Sequence, residues 1–331
     1  MVQGTMATMA FRAAPHVSWY KTARGGMYAL GTFVAIIAVF MAMRTLGIGP
    51  AATLMGSGTL KAKEPIMMTD FAVTNGDTSL GRVVSFAVRT VLTQSPVLSI
   101  LDQRVASSAL ELMGRPRNAH VDLALAQGIG LREGAKAIVD GEVTTVGSGY
   151  VLTLRLLTTD SMRVLATFQA SGDGPKGLID AADKVAHDLR AKAGESLRSV
   201  QNAVPLARAR TSSLEALRLY SEANFANNVE GDWRKAVRLL RQAVALDSTF
   251  AEGWRKLGVA MGNLGMPQAQ VDSVVTRAYQ MRGRLPDGEK ASMEAFYFGS
   301  GPGHDRAKSI AAYERAAATI GNHNNLIIQL A

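Results

Sequence analysis

The 331 residues are 47% hydrophobic and 19% charged, and none is cysteine. That is enough apolar material for packed domains, and it excludes wholesale disorder, disulfides, thiolate metal sites and thiol nucleophiles. The net charge is +9, but six of the 36 basic residues and none of the 27 acids lie within residues 1–63, so the remainder is nearly balanced. A nucleic-acid-binding protein carries its surplus on the folded domain, so nucleic acid is not expected as a partner.

The surplus flanks an apolar run, which points to a membrane. Residues 25–43 (GGMYALGTFVAIIAVFMAM) hold no charge and as a helix reach roughly 28 Å, close to the ~30 Å hydrocarbon core. Trp19, Tyr20, Lys21, Arg24 and Tyr28 surround its start, as expected of residues at a lipid headgroup interface. The expectation is a single-pass inner-membrane protein: residues 1–24 a cytoplasmic tail, 25–43 a transmembrane helix, and the bulk periplasmic. A cleaved signal peptide fits less well, because the run exceeds the usual apolar core and no Ala-x-Ala site follows Met43. A buried core helix is the other rival, disfavoured because Gly47, Gly49, Pro50, Gly56, Ser57 and Gly58 mark residues 44–63 as linker.

A mixed α/β domain is expected over residues 64–205. A strand at 66–73 and the turn Asn75-Gly76-Asp77 precede a helix at 80–93, whose Leu80, Val83, Val84, Ala87, Val88 and Val91 recur at helical spacing. A strand at 97–101 leads to Asp102, which caps a helix through Met113, and a second helix covers 121–131. Strands follow at 135–146, 150–158 and 163–170, then a helix at 178–200. In the middle strand of these three, Leu152, Leu154 and Leu156 share the better core face. The order is β-α-β-α-α-β-β-β-α. Its motifs hold little chemistry. Gly128-Ile129-Gly130 sits at a helix end and not between strand and helix, so it is no dinucleotide fingerprint. Gly147-Ser148-Gly149 is a hairpin turn and no nucleophile elbow. Asp140 and Glu142 share a strand face, read as solvated in the absence of a nearby histidine.

Residues 211–331 read as all-α helical repeats. Ala236, Leu240 and Ala243 follow Gly231-Asp232-Trp233, and Trp254, Leu257, Gly258 and Met261 follow the break at Asp247-Ser248. That alternation of small and large positions is the tetratricopeptide (TPR) helix–turn–helix pattern of 34 residues. A second unit turns at Gly265-Met266-Pro267, and a looser third turns near His304-Asp305. The histidines are isolated, so no metal site is expected, and neither catalytic residues nor a cofactor can be assigned.

The run MTDFAVTNGDTSLGRVVSFAVRTVLTQSPVLSIL, with AKAIVDGEVTTVGSGYVLTLRLL and SLEALRLYSEA, resembles bacterial TolB-N-like domains followed by TPR repeats. Such pairs form the outer half of receptor-like Ser/Thr kinases. Only 24 residues precede the apolar run, too few for a kinase, so the resemblance implies a sensor-type ectodomain reused for binding. The expected function is a non-enzymatic, membrane-anchored scaffold subunit that holds other membrane-protein subunits of a large bacterial complex. A photosynthetic reaction-centre–light-harvesting core is one candidate setting. The lipid bilayer is the other expected partner, and no small-molecule substrate is. Aromatic residues dominate binding hot spots, which singles out Trp233, Trp254, Tyr279, Tyr297 and Tyr313, most of them also plausible repeat core. The alternative is a periplasmic sensor or adaptor that takes a soluble peptide or envelope protein in its TPR groove.

Overall fold

The computed structural model describes residues 30–39, 41 and 53–320. Residues 30–39 and 41 are helical and exposed. Among the described residues no helix is long and apolar enough to cross a membrane. That finding overturns the expected single-pass, inner-membrane placement. The interface residues proposed for it, Trp19, Tyr20, Lys21, Arg24 and Tyr28, lie outside the described residues.

The chain divides into residues 1–52 and a second unit starting at Thr53. The second unit therefore begins inside the stretch read as linker, for a packing reason: Leu54 and Leu60 are buried in the α/β core, and the Leu54 and Met55 N–H groups donate to the carbonyls of Lys192 and Ala193.

The sheet comprises β1 (Pro65–Met68), β2 (Ala72–Thr74), β3 (Ser99–Ile100), β4 (Ala137–Val146), β5 (Gly149–Thr158) and β6 (Val164–Asp173). The strand order is β3-β1-β4-β5-β6, with β2 also paired to β4. The β1, β2 and β3 pairings are parallel, while β4, β5 and β6 form an antiparallel meander. Helices α1 (Ser79–Leu92) and α4 (Gly174–Ala193) cover one face, packing on Val139, Val143, Leu152, Leu154 and Leu156. Burying each such side chain contributes about 1.5–3 kcal/mol. Helices α2 (Gln103–Leu112) and α3 (Leu123–Arg132) cover the other face only near Met67 and Ile138. Asp102 and Asp122 cap these two helices by accepting from the Arg104 and Leu125 N–H groups, as short polar side chains at that position do.

Two expected elements are broken, each by an identifiable device. The strand expected at 66–73 splits because Met68 pairs with Val139 while Ala72 pairs with Glu142, which leaves one extra residue in the bulge. There the Asp70 N–H donates to Val121 O, the Val121 N–H donates to the Asp70 carboxylate, and the buried Phe71 ring lies over Gly141. The helix expected at 178–200 ends at Gly194, whose φ of +117° an L side chain rarely adopts. A short helix α5 (Leu197–Gln201) and α6 (Leu206–Ala209) follow. Where the chain turns back, the Glu195 carboxylate accepts from Arg190 at 2.9 and 2.6 Å, with both side chains almost fully buried.

The remainder is helical, in three antiparallel pairs: α7 (Leu214–Phe225) with α8 (Trp233–Leu246), α9 (Ala251–Asn263) with α10 (Gln268–Gln280), and α11 (Asp287–Gly299) with α12 (Arg306–Ile320). Gly231, at φ +72°, closes the first turn, and Asp232 caps α8 by accepting from the Lys235 N–H. Ala236 and Ala243 are fully buried. A Cβ on Gly258 would lie 2.8 Å from Val275 Cγ2, so glycine there lets α9 approach α10 closely. The observed architecture is a mixed α/β domain joined to a helical C-terminal region.

Candidate partner-binding groove

Helices α8, α9 and α10 enclose a groove of about 550 Å3. Each contributes residues at helical spacing: Arg241, Val244 and Ala245 from α8, Trp254, Leu257 and Met261 from α9, and Ala269, Gln270, Ser273 and Val274 from α10. Val244, Leu257 and Met261 are buried and form the floor, while Trp254 and Val274 are half-buried in the walls. The Trp254 Nε1–H donates to Ser248 O at 3.0 Å, which fixes the indole. Gln270, Ser273 and Arg241 bring the only polar side chains to the lining.

The other aromatic residues singled out in the sequence lie elsewhere. Trp233 packs against the helical core at the start of α8. Tyr279 stacks on Tyr297 with centroids 3.9 Å apart and an interplanar angle of 12°, which ties the second helix pair to the third. Arg282 lies over the Tyr279 ring at 4.0 Å. Tyr313 is buried with Ala295 and Ala312. The structure thus brings only Trp254 of the five into the groove.

A buried ionic cluster sets the position of α9 from behind. Glu252 accepts from Arg255 Nε and Nη2, both at 2.6 Å, and from the Tyr220 hydroxyl at 3.0 Å. Burial pushes the Glu252 carboxyl up, but the charge and hydrogen bonds of Arg255, with Arg210 and Lys256 nearby, outweigh burial and hold its pKa down at about 2. Burial lowers the neighbouring Lys256 ammonium to about 8, with Arg255 acting in the same direction. Arg210 makes a bidentate pair with Glu289 at 2.6 Å per bond, clamping the third helix pair to the connector after α6. Tyr220 also packs on Phe250 at 4.9 Å and on Phe86 of α1 at 5.5 Å. The cluster therefore links the α/β domain, the first helix pair and the groove helix.

The groove rim is basic. Arg234, Arg238 and Arg241 are exposed on α8 at i, i+4 and i+7, and Arg277 is exposed on α10 one turn beyond Ser273 and Val274. None of the four enters a hydrogen bond or ion pair among the described residues. The signal was present in the α8 sequence WRKAVRLLRQAVAL, which holds four basic residues and no acid.

A second cavity, about 270 Å3, lies between α1, α7 and the Asp70 bulge. Its charges are largely satisfied internally: His120 Nδ1 is 3.6 Å from Asp70, and Arg218 pairs with Glu215 and Glu222. The Ser79 hydroxyl there donates to Asp77, so no nucleophile is hydrogen-bonded to a histidine base. Asp140, expected on a solvated strand face, is instead buried, where it accepts from Thr69 and pairs with Arg155. Glu142 accepts from Thr74 at 2.6 Å. Among the described residues no group of three His, Asp or Glu could hold a metal ion.

No protein-family profile and no curated protein matches the chain. Solved structures similar to it include the LpoB C-terminal domain from Salmonella enterica, at 13% identity over 36% of this chain and 90% of that one, with a TM-score of 0.32. A PelC dodecamer subunit from Paraburkholderia phytofirmans matches at 14% identity, 41% of this chain, 91% of that chain and a TM-score of 0.28. TolB from Acinetobacter baumannii matches at 14% identity, 44% of this chain, 30% of that chain and a TM-score of 0.26. These likenesses are weak and carry no functional argument. The TPR assignment and the photosynthetic setting have no counterpart among these three.

Proposed function

We propose that this chain is a non-catalytic, protein-binding scaffold whose helical pairs hold a partner polypeptide in the groove between α8, α9 and α10. The supporting observation is the groove itself: an apolar floor with a fixed indole wall, few polar groups, and a frame held by buried ion pairs. Helical repeats of the TPR kind present such surfaces for binding, and the alternation of small and large residues along α8, α9 and α10 fits that kinship. In this reading the α/β domain is a rigid platform, coupled to the groove through Phe86 and Tyr220.

The test is gentle isolation of the full chain from its native source, followed by native mass spectrometry, for wild type and for Val274→Asp. Asp at that half-buried wall position places a charge in the groove, and because Val274 also packs against the helical core the variant's circular dichroism spectrum and melting curve are recorded alongside. The expected result is a stoichiometric protein partner on wild type that is absent from the variant, with the variant melting at a lower temperature but still folded at the temperature of the isolation. A wild-type chain that isolates alone, or a variant that keeps the full set of partners, would overturn the reading.

A further inference from the structure

We infer that the polypeptide held in the groove is an amphipathic helix with acidic flanks. The inference rests on the protein-binding reading above and narrows it to one class of partner.

Two features of the groove converge on this class. The first is its shape and lining. Three helices supply the walls, and the apolar residues line up along their axes: Trp254, Leu257 and Met261 on α9, and Val274 with the small Ala269 on α10. A trough of that kind fits the apolar stripe of a helix, whose i, i+3, i+4 and i+7 side chains point to one side. A small polar ligand would need converging hydrogen-bond groups, and Gln270 and Ser273 are the only neutral polar side chains in the lining.

The second feature is charge. Arg241 stands on the α8 lip, with Arg238 and Arg234 continuing the same stripe for roughly 10 Å. Arg277 continues the α10 face opposite. All four are exposed and lack hydrogen-bond and ion-pair partners among the described residues, whereas the acid on the α10 side, Asp272, accepts from Gln268 at 2.8 Å. Like charges at i and i+4 on a helix are mildly destabilising, so the Arg234–Arg238 pair does nothing for α8 itself. A partner with Glu or Asp on both flanks of its apolar stripe would meet the arginines as the stripe enters the trough. Arginine suits that contact because its planar fork binds a carboxylate through two hydrogen bonds.

The experiment titrates the full chain by calorimetry with three synthetic peptides of about fifteen residues, long enough for several helical turns. One carries leucines at i, i+3, i+4 and i+7 with glutamates on the flanks. The second replaces those glutamates with lysines. The third has the composition of the first in scrambled order. The first peptide is expected to bind and the other two to bind at least tenfold more weakly. Its affinity should fall several-fold between about 50 and 300 mM salt, as screening predicts. Arg238→Glu with Arg241→Glu should cost the acidic peptide at least tenfold and restore binding of the lysine peptide. Both substitutions are on exposed residues and leave the fold intact. Equal binding of the glutamate and lysine peptides overturns the acidic partner while leaving the groove reading standing. Equal binding of the scrambled peptide reveals a generic polyanion surface and overturns the helix. No binding of any peptide overturns the amphipathic helix, and the native isolation above then decides the groove reading separately.

Discussion

Replacing Glu252 with Gln removes the charge at the centre of the ionic cluster behind the groove and leaves Arg255 partly buried without its counter-ion. Glu252 is 2% exposed and its pKa lies at about 2, against 4.5 for an unperturbed glutamate. A depression of that size corresponds to roughly 3 kcal/mol of stability for the ionised carboxyl. That figure already contains the loss to Arg255 of its counter-ion, so Glu252→Gln should destabilise the chain by about 3 kcal/mol at pH 7. The sign of the pH dependence follows from the direction of the shift. A carboxyl with a lowered folded pKa contributes its full stability above the unfolded pKa and loses it as pH falls from 4.5 toward 2. About 2 kcal/mol of the wild-type advantage should therefore be gone by pH 3. The assay is urea unfolding of wild type and variant at pH 7 and pH 3, followed by far-ultraviolet circular dichroism. Equal midpoints at pH 7, or a deficit that does not shrink at pH 3, would refute the idea that this ion pair frames the groove.

Other perturbations test neighbouring parts of the account. Lys256 is half-buried beside Arg255 and titrates at about 8, so its charged form costs stability below that pH. Lys256→Met should stabilise the chain by about 1–2 kcal/mol at pH 7, discounted for the solvent that still reaches the side chain. Wild type, and not the variant, should gain stability as pH rises from about 8 toward 10.5. At the strand bulge, a Cβ on Gly141 would fall 2.5 Å from the Phe71 ring. Gly141→Ala should cost about 2–3 kcal/mol through overpacking. Combining it with Phe71→Leu should cost at least about 1 kcal/mol less than the sum of the two single changes, because they share one space.

The parts of this fold that sequence conveys are those with local causes. The alternation of Leu152, Leu154 and Leu156 marks the buried face of β5, and all three are fully buried there. Asp102 announces a helix start because a cap acts within three residues, and its side chain accepts from the Arg104 N–H. Features made by distant residues stayed hidden. The break after Met68 depends on Val121, which supplies the hydrogen bonds that Asp70 takes up in place of the sheet. The Arg210–Glu289 clamp spans 79 residues, and no periodicity joins its ends. The groove is half visible in sequence: Trp254, Leu257 and Met261 stand out along one helix face, but aromatic character alone does not separate Trp254 from Trp233, Tyr279, Tyr297 and Tyr313, which packing disperses. The arginine stripe on α8 was legible as spacing and became meaningful only once an apolar trough lay beside it. The expected anchor rested on hydropathy, which counts apolar residues along the chain, whereas among the described residues no helix is long and apolar enough to cross a membrane.

Placing a photo-activatable phenylalanine analogue at Ser273, on the exposed lip of the groove, tests the central claim most directly. The same analogue at Gln201, exposed on α5, serves as the control. The account predicts one discrete protein adduct from position 273 in the native source, absent from position 201 and abolished by Val274→Asp. Adducts of equal yield from both positions, or an adduct at 273 that survives Val274→Asp, would contradict it.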